Sequence, residues 1–519
     1  MRLHMKTKNI AAALAIVLAA VLASCYSDTG NYDYTELPDV KIEMGSQYYV
    51  TQFDTLNIPV SIDFDGDDES NYEYSWRLWS NEIKRSDYRK TIADTRDLSF
   101  KADELAGPYT LVLTVHNKKT DVNTYKQASL SVQGALTEGW MVLHEKDGVT
   151  DFDLIMTPFF SSRVKEDEVV RNVYQMNGEQ LQGRGRCIGS YIDTQRQFVT
   201  ILTDKGGAKL EATTMQKAFD MTTLMPDVTT FTPQSYTYYS YRGTARAQGF
   251  DAIVNDGKLY FYNVFGSRNF TSYTEPILKD GMTYQASPYL PKYIWASYYG
   301  MGIIIYDELN GRFLYVDKNY ALAEMPDAST AAFDWNNMHA HLRYMDTGFN
   351  NHDLGLFEDW DTHKLTLYEF NFDEKRLDKA ILKKYPADAA EGLAGAKYYA
   401  IGERGPVFYY ADDRNIRLFD YSGSGTSSLA YTLKNTGEKI TGIKVLKPCA
   451  SFSRTVKINH DYNNRVLFIS TYNEAAKDGK VYMYYFNESN GQIDFSSEKV
   501  FDGFGEILGM EYNWPKYGT

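Results

Sequence analysis

The 519-residue sequence reads as an all-β protein, a β-sandwich followed by a β-propeller. Three observations carry that reading. Over residues 38–134 apolar and polar side chains alternate with the period of two that a half-buried strand requires. Over residues 137–519 one hairpin module recurs in divergent form, the signature of a repeat architecture. Helical periodicity is nearly absent, hinted at only over residues 215–224 and 387–395. The 43 tyrosines fit this reading, since their flat amphipathic rings suit strands and ligand surfaces alike.

The chain begins with Arg2, Lys6 and Lys8 ahead of an unbroken apolar run from Ile10 to Ala23. That run falls short of the roughly 20 apolar residues a spanning helix needs, and matches the apolar region of a signal peptide. Leu22-Ala23-Ser24-Cys25 closes it and resembles the lipobox of bacterial lipoproteins. The resemblance implies a signal peptide over 1–24, cleavage after Ser24, a diacylglyceryl thioether on Cys25 and an acylated new amino terminus. Acyl chains at about 0.8 kcal/mol per buried CH₂ would make the anchoring stable. Residues 25–37 are polar, rich in turn formers and without periodicity, so they read as a lipidated tether. Tyr26 stands where an aspartate commonly retains lipoproteins at the inner membrane. Asp28 is the one acidic residue matching a surface-export signal.

In the sandwich segment Leu56, Ile58 and Val60 alternate with polar residues, as do Tyr72, Tyr74 and Trp76, and Leu111, Leu113 and Val115. Tyr72-Glu-Tyr-Ser-Trp76 and Gly107-Pro-Tyr-Thr-Leu-Val-Leu-Thr-Val-His-Asn117 resemble the paired strands of PKD-type immunoglobulin-like domains. The resemblance places Trp76, Tyr109, Leu111 and Val115 in the core. Between the strands, Asp63, Asp65 and Asp67 put carboxylates at alternate positions, which suits calcium. The EF-hand template fails, because its turn glycine is replaced by Asp68 and its bidentate glutamate by Tyr74. The plainer reading is a solvated acidic turn.

In the repeat region Gly302-Ile-Ile-Ile-Tyr-Asp307 with Arg312-Phe-Leu-Tyr-Val-Asp317 matches Val407-Phe-Tyr-Tyr-Ala-Asp412 with Asn415-Ile-Arg-Leu-Phe-Asp420. Each is an apolar strand, a polar turn and a second strand ending in an aromatic residue and aspartate. Seven blades fill the region, and six or eight also fit its length. Cys187 and Cys449 sit in apolar surroundings. Buried free thiols are the first expectation and a single long bridge the second.

No reaction motif emerges. There is no nucleophile elbow, no zinc-protease helix and no phosphate loop, and no cofactor is expected apart from the calcium reading. His339 and His341 would share one face of a strand, and His352 could add a third ligand to a transition metal. Adjacent carboxylates such as Asp412-Asp413 abound, but a glycosidase needs two acids at a defined separation. For ligand binding, the aromatic clusters weigh most: Tyr236, Tyr238, Tyr239 and Tyr241 in one segment, and Tyr289, Trp295, Tyr298 and Tyr299 in another. Prolines 288 and 291 argue against a regular strand in the second. Inter-blade packing is the competing use of any single ring.

The formal charge is −14, and loss of the three basic leader residues would make the mature chain more negative. Such a surface repels nucleic acid and anionic lipid. The whole layout, from the lipobox and Tyr26-Ser-Asp-Thr-Gly-Asn-Tyr-Asp-Tyr34 through the sandwich to Glu138-Gly-Trp-Met-Val-Leu143, resembles the PKD-like family lipoproteins. That resemblance implies a cell-surface, outer-membrane accessory protein for glycan or peptide uptake. Its partners would be a TonB-dependent transporter of the starch-utilisation type and that transporter's lid-like binding lipoprotein. It carries over no catalytic residue. A lipid-anchored hydrolase of glycans or peptides and a protein-binding envelope scaffold stand as alternatives.

Overall fold

The computed structural model describes residues 37–80, 89–159, 164–192, 197–240, 249–263, 272–279, 281–291, 302–372, 377–447 and 462–513. Cys25, Cys449 and the leader lie outside them.

The first domain is a β-sandwich. One sheet has the order Gln47–Thr51, Val122–Gln133, Gly107–Asn117, Tyr72–Trp79 and Arg89–Ala93. Two short antiparallel pairs complete it, Lys41–Glu43 with Ser61–Asp63 and Thr55–Ile58 with Leu98–Lys101. Alternation puts every second side chain inside, so Trp76, Leu111, Leu113 and Val115 meet Ile42, Ile58 and Phe100 in one apolar cluster. Two polar handles are satisfied at its margin. The Trp76 indole donates to the Thr95 carbonyl at 3.0 Å, and the Tyr109 hydroxyl donates to the Leu105 carbonyl at 2.6 Å.

The second domain is a seven-bladed propeller. Seven separate sheets of three or four described strands follow one another along the chain. In the first blade the strand Gly139–Lys146 pairs on one side with Val149–Met156 and on the other with the last strand, Glu506–Asn513. This antiparallel pairing, Trp140 opposite Tyr512 and Met141 opposite Glu511, closes the ring with backbone hydrogen bonds and removes two free sheet edges. The inner strands Gly185–Ile192, Pro233–Ser240, Ala340–Thr347, Tyr398–Ile401 and Lys439–Val445 each begin a blade. In the fourth blade the inner position is held by an irregular segment. Ala286 bridges Asp307, and the Ser287 N–H donates to the Tyr306 carbonyl at 2.9 Å. Pro288 and Pro291 have no N–H to extend the ladder, which accounts for its brevity. Of the helical hints, the structure keeps one short turn at Met221–Leu224 and a 3₁₀ turn at Leu393–Gly395. Among the described residues no helix is long and apolar enough to cross a membrane.

The two domains are docked. Leu105 and Leu136 share a buried cluster with Met141, Ala212 and Met215 of the propeller. The Gln216 side chain donates to the Ala106 carbonyl at 2.7 Å, and Asn513 donates to the Leu136 carbonyl at 3.2 Å. Gly134 permits this approach, because a Cβ there would stand 2.5 Å from the Thr213 carbonyl oxygen.

Candidate functional site

Residues of several inner strands line a cavity of about 310 Å³. That is the lower end of the roughly 300–1,000 Å³ typical of small-molecule pockets. Six of the seven blades supply its wall. Tyr344, Met345 and Asp346 come from the last turns of their strand, Lys444 and Val445 from theirs, and Glu511 and Tyr512 from the closing strand. Ser235 and Tyr236 face them from Pro233–Ser240, and Tyr289 from the irregular fourth-blade segment.

The charges on this wall occur in pairs. Lys444 donates to the Met510 carbonyl at 2.7 Å and to Glu511 Oε2 at 2.6 Å. Lys447 donates to Asp346 Oδ2 at 2.7 Å and to the Thr347 carbonyl at 2.6 Å, and its side chain is only 7% exposed. The Tyr344 hydroxyl also donates to Asp346, at 3.1 Å. Burial, together with that carboxylate, holds the Tyr344 phenol far above its ordinary range. Tyr289 meets Tyr344 edge-on with ring centres 5.4 Å apart. Trp140 lies flat on Phe468 at 3.7 Å. Its indole N–H and the Ser235 hydroxyl are buried with no partner among the described residues.

The aromatic segments singled out in the sequence thus have different fates. Tyr236 and Tyr289 line the cavity. Tyr238 is half-buried on the same strand but is not part of the cavity wall. Tyr239 belongs to that strand too, and nothing is described of its side chain; Tyr241, Trp295, Tyr298 and Tyr299 lie outside the described residues. The paired lysines and acids escaped sequence reasoning. Their only trace is a lysine interrupting an otherwise apolar strand end, Gly442-Ile-Lys-Val-Leu-Lys447.

The three histidines expected to share a metal are not brought together. His339 has φ +51° and precedes the strand Ala340–Thr347, so it does not share the strand face of His341. Both rings pack on Trp360, with centres 4.7 and 5.8 Å away. His352 lies beyond the far end of that strand, roughly 20 Å away at about 3.3 Å per residue, with Nδ1 at 2.6 Å from Glu369 Oε1. Asp63, Asp65 and Asp67 serve as turn acceptors. Asp63 takes the Asp65 N–H at 3.0 Å, Asp65 the Asp39 N–H at 3.2 Å, and Asp67 the Asp68 N–H at 2.9 Å and the Tyr72 hydroxyl at 3.1 Å. Among the described residues no three His, Cys, Asp or Glu side chains are arranged to hold a metal. Cys187 is a half-buried free thiol, and burial pushes it up to about 12.

Two further polar clusters are buried away from the channel. Lys209 donates to Asp251 Oδ2 at 2.5 Å and to the Tyr273 hydroxyl at 2.9 Å, and joins the second and third blades. In the first blade Asp151 accepts the N–H groups of Phe152, Tyr174 and Gln175, and Asp153 accepts Arg171 and the Asn172 N–H. His144 Nε2 stands 3.1 Å from Asp153. These contacts fasten the segment after Glu168–Val170 to the blade, and none of these residues lines the cavity described above.

The sequence profile of the PKD-like family matches residues 25–185, which spans the tether, the sandwich and the first strands of the propeller. No curated protein matches the sequence. Among solved structures, a quinoprotein alcohol dehydrogenase-like protein from Bacteroides thetaiotaomicron is similar at a TM-score of 0.51 and 12% identity, covering 90% of this chain and 96% of its own. Citrobacter koseri AztD gives a TM-score of 0.32 at 10% identity, covering 86% and 99%. Saccharomyces cerevisiae Sqt1 gives 0.34 at 12%, covering 72% and 88%. At 12% identity the first of these shows the fold alone. Together the comparisons describe a chain similar to the PKD-like family over its first third, continued by a β-propeller.

Proposed function

We propose that this is a lipid-anchored accessory protein of the outer membrane. On this reading it is tethered at the cell surface through Cys25 and captures a nutrient for a TonB-dependent transporter and its lid-like binding lipoprotein. It is a binding protein and not an enzyme. The observation that carries the reading is the cavity lined by the inner strands. Its wall is tied to the link from the sandwich, since the Tyr512 hydroxyl donates to Glu138 of that link at 2.9 Å. The sandwich then acts as a spacer held firmly against the propeller. A pocket whose described wall carries tyrosines and paired charges suits capture and release.

The test is affinity isolation of the tagged full-length protein from detergent-solubilised envelopes, with metabolic labelling by palmitate. Recovery of an outer-membrane transporter, together with label lost in Cys25→Ala, is the expected result. Label that persists in that variant, or an isolate without any transporter, would count against it.

A further inference from the structure

We draw no further inference here: the strongest candidate, the cavity among the inner strands with its Lys444–Glu511 and Lys447–Asp346 pairs, belongs to the site already described, and its wall favours no one ligand chemistry over another.

Discussion

In the sandwich Trp76, Leu111 and Phe100 share one apolar cluster, and the buried Glu104 pairs with a half-exposed lysine, Lys90, whereas the propeller buries both partners, Lys209 with Asp251 and His144 with Asp153. The contrast follows from geometry. Two sheets facing each other need only alternate their side chains, and any apolar set of the right volume closes the gap. Seven blades arranged around an axis must also keep their order and angle. A buried ion pair between neighbouring blades has one arrangement that satisfies it, so it specifies a register that apolar packing leaves soft.

The strongest way to break this comparison is to remove one member of the inter-blade pair. Lys209→Met leaves the fully buried Asp251 carboxylate without its cation, though still accepting from the Tyr273 hydroxyl at 2.6 Å, and is expected to cost about 3–5 kcal/mol. The companion Lys209→Met/Asp251→Leu should recover most of that loss in denaturant melts. If the double variant is as unstable as the single one, the pair contributes more than register. In the sandwich, Leu111→Ala empties a wholly apolar site and should cost about 2–5 kcal/mol, with no second substitution at a polar partner able to restore it.

How much of this could be read in the sequence follows the same division. The sandwich strands around Trp76 and Tyr109 were legible because period-two alternation is a local pattern. The propeller was legible as a repeat. Of the cavity wall, Tyr236 and Tyr289 were legible as aromatic clusters, but their meeting with Tyr344, Lys444 and Glu511 was not, because these come from other blades and meet only when the ring closes. The histidine set did not assemble because the strand Ala340–Thr347 separates His352, which binds Glu369, from His339 and His341, which meet on Trp360.

Titration sharpens the comparison next, at Asp151 and Asp153, two carboxylates that the first blade buries to 1% exposure. Burial pushes Asp151 up to about 6 despite three backbone N–H donors and the nearby His144. Its folded form therefore holds a proton that the unfolded chain releases near 3.8. This group's contribution improves as pH falls from 7 through about 6 toward 4, and its charged state costs no more than about 3 kcal/mol above that window. For Asp153 burial also raises the value, but His144, Asn172 and Arg171 outweigh it and hold the group below its ordinary range. Its stabilisation is present at neutral pH and is lost as pH falls below 3.8 through the depressed value. Melting curves of Asp151→Asn and Asp153→Asn across pH 4–7 should therefore diverge: the first loses the gain on acidification, and the second keeps it. Parallel curves would show that neither group titrates in the folded state as described.

The junction between the two interiors comes next in size. Gly134→Ala places a methyl against the Thr213 carbonyl oxygen, a backbone atom that cannot rotate away. A loss of about 1–3 kcal/mol is expected, together with faster proteolysis of the link around Ala135. Unchanged stability and proteolysis would mean that the sandwich is only loosely seated.

The smallest effect isolates what burial adds, using two adjacent residues. Glu438 is 1% exposed and accepts Lys480 at 2.9 Å, Tyr482 at 2.8 Å and Thr471 at 3.1 Å. Lys439 makes a single ion pair with Glu474 at 3.2 Å, with both side chains more than half in water. Solvent screens that second pair and its long side chains lose entropy in making it, so Lys439→Ala should change stability by less than about 0.5 kcal/mol. Equal losses from Lys439→Ala and Glu438→Ala in the same melts would remove the distinction drawn between pins inside the blades and charges on their surface. A clear gap between them locates the ordering force of the propeller in its buried polar groups.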